Sequence, residues 1–219
     1  MKVMKFGGTS VGSPDRMKNV ASLITESGDP TFVVLSAMSG TTNSLIEISN
    51  YLYKKNPDGA NEVINKLEKK YMQHVEELYS TDEYKEKTRE FLREEFKYMR
   101  SFTKDIFTSF EEKSIVAQGE IMSTNMVLNY LQEQGIKATL LSAFDFMRTD
   151  KNAEPDAQYI KEKLTAIMTE NEGYQIYITQ GFICLNAYGE IDNLQRGGSD
   201  FTASLIGVAL GAEEIQIWT

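Results

Sequence analysis

The sequence predicts an α/β fold, a three-layer α/β/α sandwich around a mainly parallel sheet. Three observations carry this. Short β-branched runs alternate with amphipathic helical stretches. The connections between them are short, as expected when successive strands are parallel and each helix crosses over a face. And 219 residues suffice for a sheet covered on both sides.

Residues 3–6 read as a buried strand, followed at once by Gly7-Gly8-Thr9-Ser10 and a helix over about 14–25 with apolar Met17, Val20, Leu23 and Ile24. A second strand, 31–35, ends in Ser36-Ala37-Met38-Ser39-Gly40 and leads into a helix over about 42–54. Between about 59 and 110 apolar residues recur at helical spacing, from Val63, Leu67 and Tyr71 to Phe102, Ile106 and Phe110, predicting an inserted helical hairpin turned near Ser80-Thr81-Asp82. A helix from about 113 to 134 would place Gln118-Gly119-Glu120 near its start, and Gly135 stops it before a strand at 137–141. Next come a helix at 156–169, a strand at 175–179 and a hairpin over 182–192. Arg196-Gly197-Gly198-Ser199-Asp200 opens a helix ended by Gly211, and 214–218 is the last strand. The pattern reads as one domain over 1–219, the amino-terminal part of a larger whole, because the chain stops one residue past a strand end, where ligand-contacting loops belong.

Composition narrows the function. With 41% hydrophobic and 25% charged residues and a mean hydropathy of −0.36, the chain reads as soluble, and the reading places it in the cytoplasm, with no apolar run of membrane-spanning length and no secretory leader. A net charge of −9 argues against nucleic acid or anionic membrane as a partner. Cys184, the single cysteine, reads as core, and His74, the single histidine, as the edge of an apolar stripe without metal-ligand neighbours. No metal site is expected.

Three strand-to-helix turns are rich in Gly and Ser, at 7–10, 36–40 and 197–199, a pattern that gathers backbone N–H groups and a helix amino terminus at one point and favours phosphate or carboxylate. Neither the P-loop nor the dinucleotide-binding glycine pattern is present. Lys5, inside the first strand, is costly there unless its ammonium meets an anion; the alternative is an edge lysine reaching water. Glu120 alone reads as a first-turn glutamate favoured by the helix dipole, Arg196 as a solvated loop arginine and Asp200 as a helix-start aspartate; Ser36 and Thr42 read as cap or turn residues.

Taken together, Lys5-Phe6-Gly7-Gly8-Thr9-Ser10, the stretch from Val34 to Asn43, Gln118-Gly119-Glu120, Arg196-Gly197-Gly198-Ser199-Asp200 and the closing Ile217-Trp218-Thr219 resemble, in order, the motifs of aspartate kinases, over essentially the whole chain. The resemblance implies the amino acid kinase fold and transfer of the γ-phosphoryl group of ATP to the β-carboxylate of L-aspartate, at the head of lysine, threonine and methionine biosynthesis. It implies Lys5 on the moving phosphoryl group with Gly7, Gly8 and Ser10 along the phosphates, and Asp200 orienting Lys5. Glu120 would take the substrate ammonium, Arg196 a carboxylate, and Ser36, Thr42 and Ser199 would supply hydroxyl contacts. Mg²⁺ would be held through the ATP phosphates, and the protein would be a homodimer. The nucleotide-binding remainder and the ACT domains would lie beyond residue 219. The alternatives are a kinase of the same fold acting on glutamate, acetylglutamate, carbamate or a nucleotide, and a fragment that binds aspartate without turnover.

Overall fold

The computed structural model describes residues 1–104, 106–194 and 197–219. Five strands form one parallel sheet in the order β3 (Ala138–Leu140), β4 (Ile176–Gln180), β2 (Thr31–Leu35), β1 (Lys2–Phe6) and β7 (Glu214–Trp218). A separate antiparallel hairpin pairs β5 (Ile183–Leu185) with β6 (Ile191–Asn193). β1 therefore lies inside the sheet, with Lys5 between Val34 and Ile217, so Lys5 is not an edge lysine.

The period-2 alternation of the strands divides the core in two. Met4, Phe6, Val33, Leu35, Ile176 and Ile178 face α1 (Pro14–Thr25), α2 (Thr41–Tyr53), α3 (Pro57–Leu78), α4 (Asp82–Ser101) and much of α5 (Ser109–Glu133). Val3, Phe32, Val34 and Tyr177 face α6 (Ala143–Phe146), α7 (Ala157–Glu170) and α8 (Gly198–Leu210) through Phe146, Leu164 and Ile206. Burying each of the larger side chains stabilises the fold by about 1.5–3 kcal/mol relative to exposure.

α3 begins where the Asn56 side chain accepts from the Gly59 N–H, with Pro57 at its first position, and it buries Ala60, Val63, Ile64, Leu67, Tyr71, Val75 and Leu78 at spacings of three and four. α4 returns antiparallel to it, as the Arg89–Glu76 and Arg100–Glu68 ion pairs require. Pairs this exposed contribute about 0–1 kcal/mol each, so the buried stripe of Thr88, Leu92, Phe96 and Met99 holds α4 in place.

The elements depart from the sequence reading in three places. The helical stripe does not run on to Phe110: α4 stops at Ser101, Ile106 is exposed, and Phe110 belongs to the first turn of α5. α5 starts at Ser109 rather than near 113, because Thr108 and Glu111 form a reciprocal capping box. The single-turn α6, capped by Ser142, is too short to show a period.

Candidate active site

β1, β2 and β4 end together, and α5 crosses over the ends of the latter two. Ser123 Oγ donates to the Ser36 carbonyl at 2.8 Å, and Gln180 Nε2 donates to Thr124 Oγ1 at 3.1 Å. Gly119 makes this crossing close, for a Cβ there would stand 2.8 Å from the Ala37 Cβ and 3.3 Å from Leu45 Cδ1. Above the crossing lies a cleft of about 360 Å³ lined by Lys5, Gly8, Ser36, Thr42, Glu120, Phe182, Ser199 and Asp200 together with the 37–40 loop and Gly197-Gly198.

At one end Lys5 rises from β1 towards α8, with its side chain 9% exposed, and Nζ meets Asp200 Oδ1 at 2.7 Å. Asp200, in the first turn of α8, is half exposed, so this pair borders the cleft and is open to a third partner. A Cβ at Gly7 would lie 3.4 Å from Nζ, in ordinary contact with the ammonium. At Gly8 a Cβ would sit 2.7 Å from the Ala37 carbonyl oxygen, so only glycine lets the two turns pack.

The other end holds Glu120, which is 4% exposed. Its Oε1 accepts from the Ala37 N–H at 3.2 Å, while Oε2 is buried without a partner. Burial pushes its carboxyl from 4.5 up to about 8, against the opposing pull of the Ala37 amide. A buried carboxyl oxygen with nothing to bind, at a cleft wall, is a demand for a donor. Glu120 is thus no first-turn glutamate: it lies mid-helix, and Glu111 and Glu112 occupy the first turn of α5.

Two helices begin at this cleft, α2 after Gly40 and α8 after Gly197, both glycines left-handed (φ 82° and 83°) and neither helix start bonded by a capping side chain. Their first-turn N–H groups and dipoles favour anions at that point. Ser36 Oγ donates to Ser199 Oγ at 3.0 Å across the gap between the two helix starts. Ser199 and Asp200 lie in the first turn of α8, as a helix-start aspartate would, and both also line the cleft.

The structure thus brings Lys5, Gly8, Ser36, Thr42, Glu120, Ser199 and Asp200 to one cleft. Gly7 stands behind it, its N–H donated to the Trp218 carbonyl at 3.1 Å. Ser10 lines a neighbouring cleft of about 480 Å³ with Thr9, Arg16 and Trp218. Arg196 lies outside the described residues. Sequence reasoning missed Phe182, a non-glycine residue with φ 70° that lines the cleft. Thr202 Oγ1 holds its N–H at 3.0 Å, its carbonyl accepts from Leu194 N–H at 2.7 Å, and Gly198 leaves room for its ring. Residue type gives no warning of such a conformation.

For a metal the donor set is thin. Among the described residues no group of three or more His, Cys, Asp or Glu stands close enough to hold one. Asp200 and the serine and threonine hydroxyls fit a hard cation that arrives on phosphates, with most of its ligands supplied by the nucleotide and water. Also among the described residues, no helix is long and apolar enough to cross a membrane.

The comparisons agree with this geometry. The amino acid kinase family profile matches residues 1–219. Lysine-sensitive aspartokinase 3 of Escherichia coli is 32% identical over 222 aligned residues, covering 99% of this chain and 48% of that protein. Chloroplastic aspartokinase 1 of Arabidopsis thaliana is 33% identical over 231, covering 99% of this chain and 39% of that protein. The crystal structure of E. coli aspartokinase III in complex with aspartate and ADP superposes on all of this chain and 49% of its own, with a TM-score of 0.85 at 31% identity. This chain spans about half the length, or less, of the relatives it matches. With the family profile matched from end to end, the chain belongs to the amino acid kinase family.

Proposed function

We propose that this chain is the acceptor-side part of an aspartate kinase, which transfers the γ-phosphoryl group of ATP to the β-carboxylate of L-aspartate. The observation that carries the reading is the pairing of opposite demands in one cleft: a cation at the Lys5 end for a moving phosphoryl group, and an unpartnered carboxyl oxygen at the Glu120 end for an ammonium group.

The acceptor carboxylate is already an anion at neutral pH and needs no general base. Its oxygen attacks the γ-phosphorus as the bond to the β–γ bridging oxygen breaks, giving ADP and an acyl phosphate. The protein's task is then to hold the partners in line and stabilise charge on the transferred group. Lys5 supplies that charge, and Asp200 keeps the ammonium at the mouth of the cleft. Glu120 takes the α-ammonium through its free Oε2, while Thr42, Ser36 and Ser199 offer hydroxyls to the carboxylates and the phosphoryl oxygens. Arg196 is the partner for a substrate carboxylate in this reading, and the Gly7-Gly8 turn with Ser10 borders the phosphate path. Bound Mg²⁺ would supply charge neutralisation between the phosphates, and the half-exposed Asp200 carboxylate would help hold it. Adenine and ribose contacts belong to the remainder of a protein of the relatives' length. The product would open lysine, threonine and methionine biosynthesis, in the cytoplasm, and the working unit would be a homodimer.

The test is turnover of the full-length protein with ATP, Mg²⁺, hydroxylamine and a panel of L-aspartate, L-glutamate and N-acetylglutamate, reading hydroxamate and ADP together. Aspartyl hydroxamate in step with ADP is expected; hydroxamate from another acceptor alone would overturn the substrate named.

A further inference from the structure

Among the described residues the α3/α4 arm places no side chain in the cleft, yet one of its residues ends directly behind the cleft wall. Tyr71 of α3 is fully buried, with its ring edge-on to Phe96 of α4 at a centroid distance of 5.8 Å. Its hydroxyl does not stop in the apolar core: Oη lies 3.0 Å from Oγ1 of Thr41, the first residue of α2. Phenylalanine would fill the same space without a polar atom to satisfy, so the hydroxyl itself has a task.

That task is at the acceptor end. Thr41 is itself fully buried, its N–H is donated to the Met38 carbonyl at 2.9 Å, and its Cγ2 lies 3.5 Å from where a Cβ on Gly119 would stand. Its neighbours are left-handed Gly40 and Thr42, which lines the cleft; Gly119 is followed by Glu120. The Tyr71–Thr41 bond therefore pins the point where the start of α2 rests on α5. The preceding residue holds the same loop from outside, Lys70 Nζ donating to the Ser39 carbonyl at 3.2 Å.

We propose that Tyr71 is a positioning residue for the acceptor amino acid: through Thr41 its hydroxyl fixes the start of α2, and so the placement of Thr42 and of the Ala37 amide against Glu120. The inference rests on reading this end of the cleft as the acceptor subsite. Without the hydroxyl the start of α2 is free to shift against α5, while Lys5 and Asp200, on β1 and α8, keep their places. The loss should fall on acceptor binding and spare both the chemical step and ATP.

The experiment uses the full-length protein as wild type, Tyr71→Phe, Thr41→Val, Thr41→Ser and the Tyr71→Phe/Thr41→Val double variant. Wild type is first assayed on the carboxylate panel to identify its acceptor, and KM and kcat are then measured for that acceptor and for ATP. Tyr71→Phe should raise the acceptor KM about five- to tenfold with kcat and the ATP KM within about twofold. Thr41→Val should match it, Thr41→Ser should restore the wild-type value, and the double variant should be no worse than the worse single. An unchanged acceptor KM in Tyr71→Phe, or acceptor and ATP KM rising together as the melting temperature falls, would overturn the proposal. Should Tyr71→Phe fail to fold, the near-isosteric Thr41→Val decides by the same split. If wild type prefers another carboxylate, the aspartate reading fails while the positioning role is judged on that acceptor; if it phosphorylates no carboxylate, both fall.

Discussion

The two ends of the cleft hold their charges in opposite ways. Lys5 is nearly buried but already satisfied, its ammonium 2.7 Å from a half-exposed Asp200 that leaves one side of the pair open. Glu120 is just as buried and is not satisfied: one oxygen has a single backbone donor, the other has none, and burial pushes its carboxyl up to about 8. The first arrangement is stable without a ligand and merely admits one. The second is a deficit that a bound ammonium group relieves. On the proposed reading, one end is preorganised for a charge that develops during the reaction, the other for a charge present throughout.

Removing the lysine is the strongest way to break this contrast. Lys5→Met is expected to lower kcat by about a thousandfold or more, since one preorganised charge on a transferring group contributes roughly 3–4 kcal/mol. The fold should persist, because the methionine continues the apolar character of β1 and the orphaned Asp200 is half exposed. Steady-state turnover with far-UV circular dichroism checks both halves; an unfolded variant or a mere twofold loss would show that Lys5 serves β1 rather than the reaction.

Glu120→Gln should act on binding instead. Acceptor KM at pH 8 is expected to rise about 10- to 100-fold, the range of a charge-assisted hydrogen bond, with the ATP KM unmoved. Stability gives an independent reading. Between pH 4.5 and about 8 the native Glu120 keeps a proton that the unfolded chain has lost, so stability falls as pH rises through that window. The full effect is on the order of 5 kcal/mol. Glutamine removes that slope, and the variant should be more stable than wild type at pH 8 in urea unfolding. Acceptor binding runs the other way: the ammonium favours the carboxylate, so wild-type KM should fall as pH rises towards 8 and the variant's should not.

The Lys5 end was legible in the sequence because its signals are local. A lysine inside an apolar strand, a Gly-Gly turn after it and Gly-Gly-Ser-Asp before a helix need no knowledge of distant residues. The Glu120 end depends on where α5 begins and what it crosses. The apolar period running through Phe102, Ile106 and Phe110 hid the boundary, and a first-turn glutamate was the natural reading. The Thr108-x-x-Glu111 capping box was the signal that would have corrected it. Nothing in the sequence distinguishes Tyr71 from the rest of its core stripe, because a hydroxyl's partner thirty residues away is set only by packing. Phe182 is hidden for a similar reason, its left-handed backbone being imposed by Thr202 and Leu194.

The finest test concerns Gly119, which joins the two levels. A methyl group there would press on Ala37 Cβ at 2.8 Å and Leu45 Cδ1 at 3.3 Å, so α5 must ease away from the 36–40 loop. Overpacking of this kind costs about 1–3 kcal/mol, yet alanine in a helix interior recovers about 1 kcal/mol relative to glycine. Gly119→Ala should therefore destabilise the fold by only about 1 kcal/mol, a small shift in the urea midpoint. The same easing lengthens the 3.2 Å bond from the Ala37 N–H to Glu120 Oε1. That bond is the larger of two backbone contacts that hold the carboxyl down against burial, so the Glu120 carboxyl should rise further and the pH at which acceptor KM levels off should rise with it. Lys5, on a strand that α5 does not move, should keep its kcat, and a variant that lost kcat and acceptor affinity alike would show that the two ends of the cleft are one rigid unit.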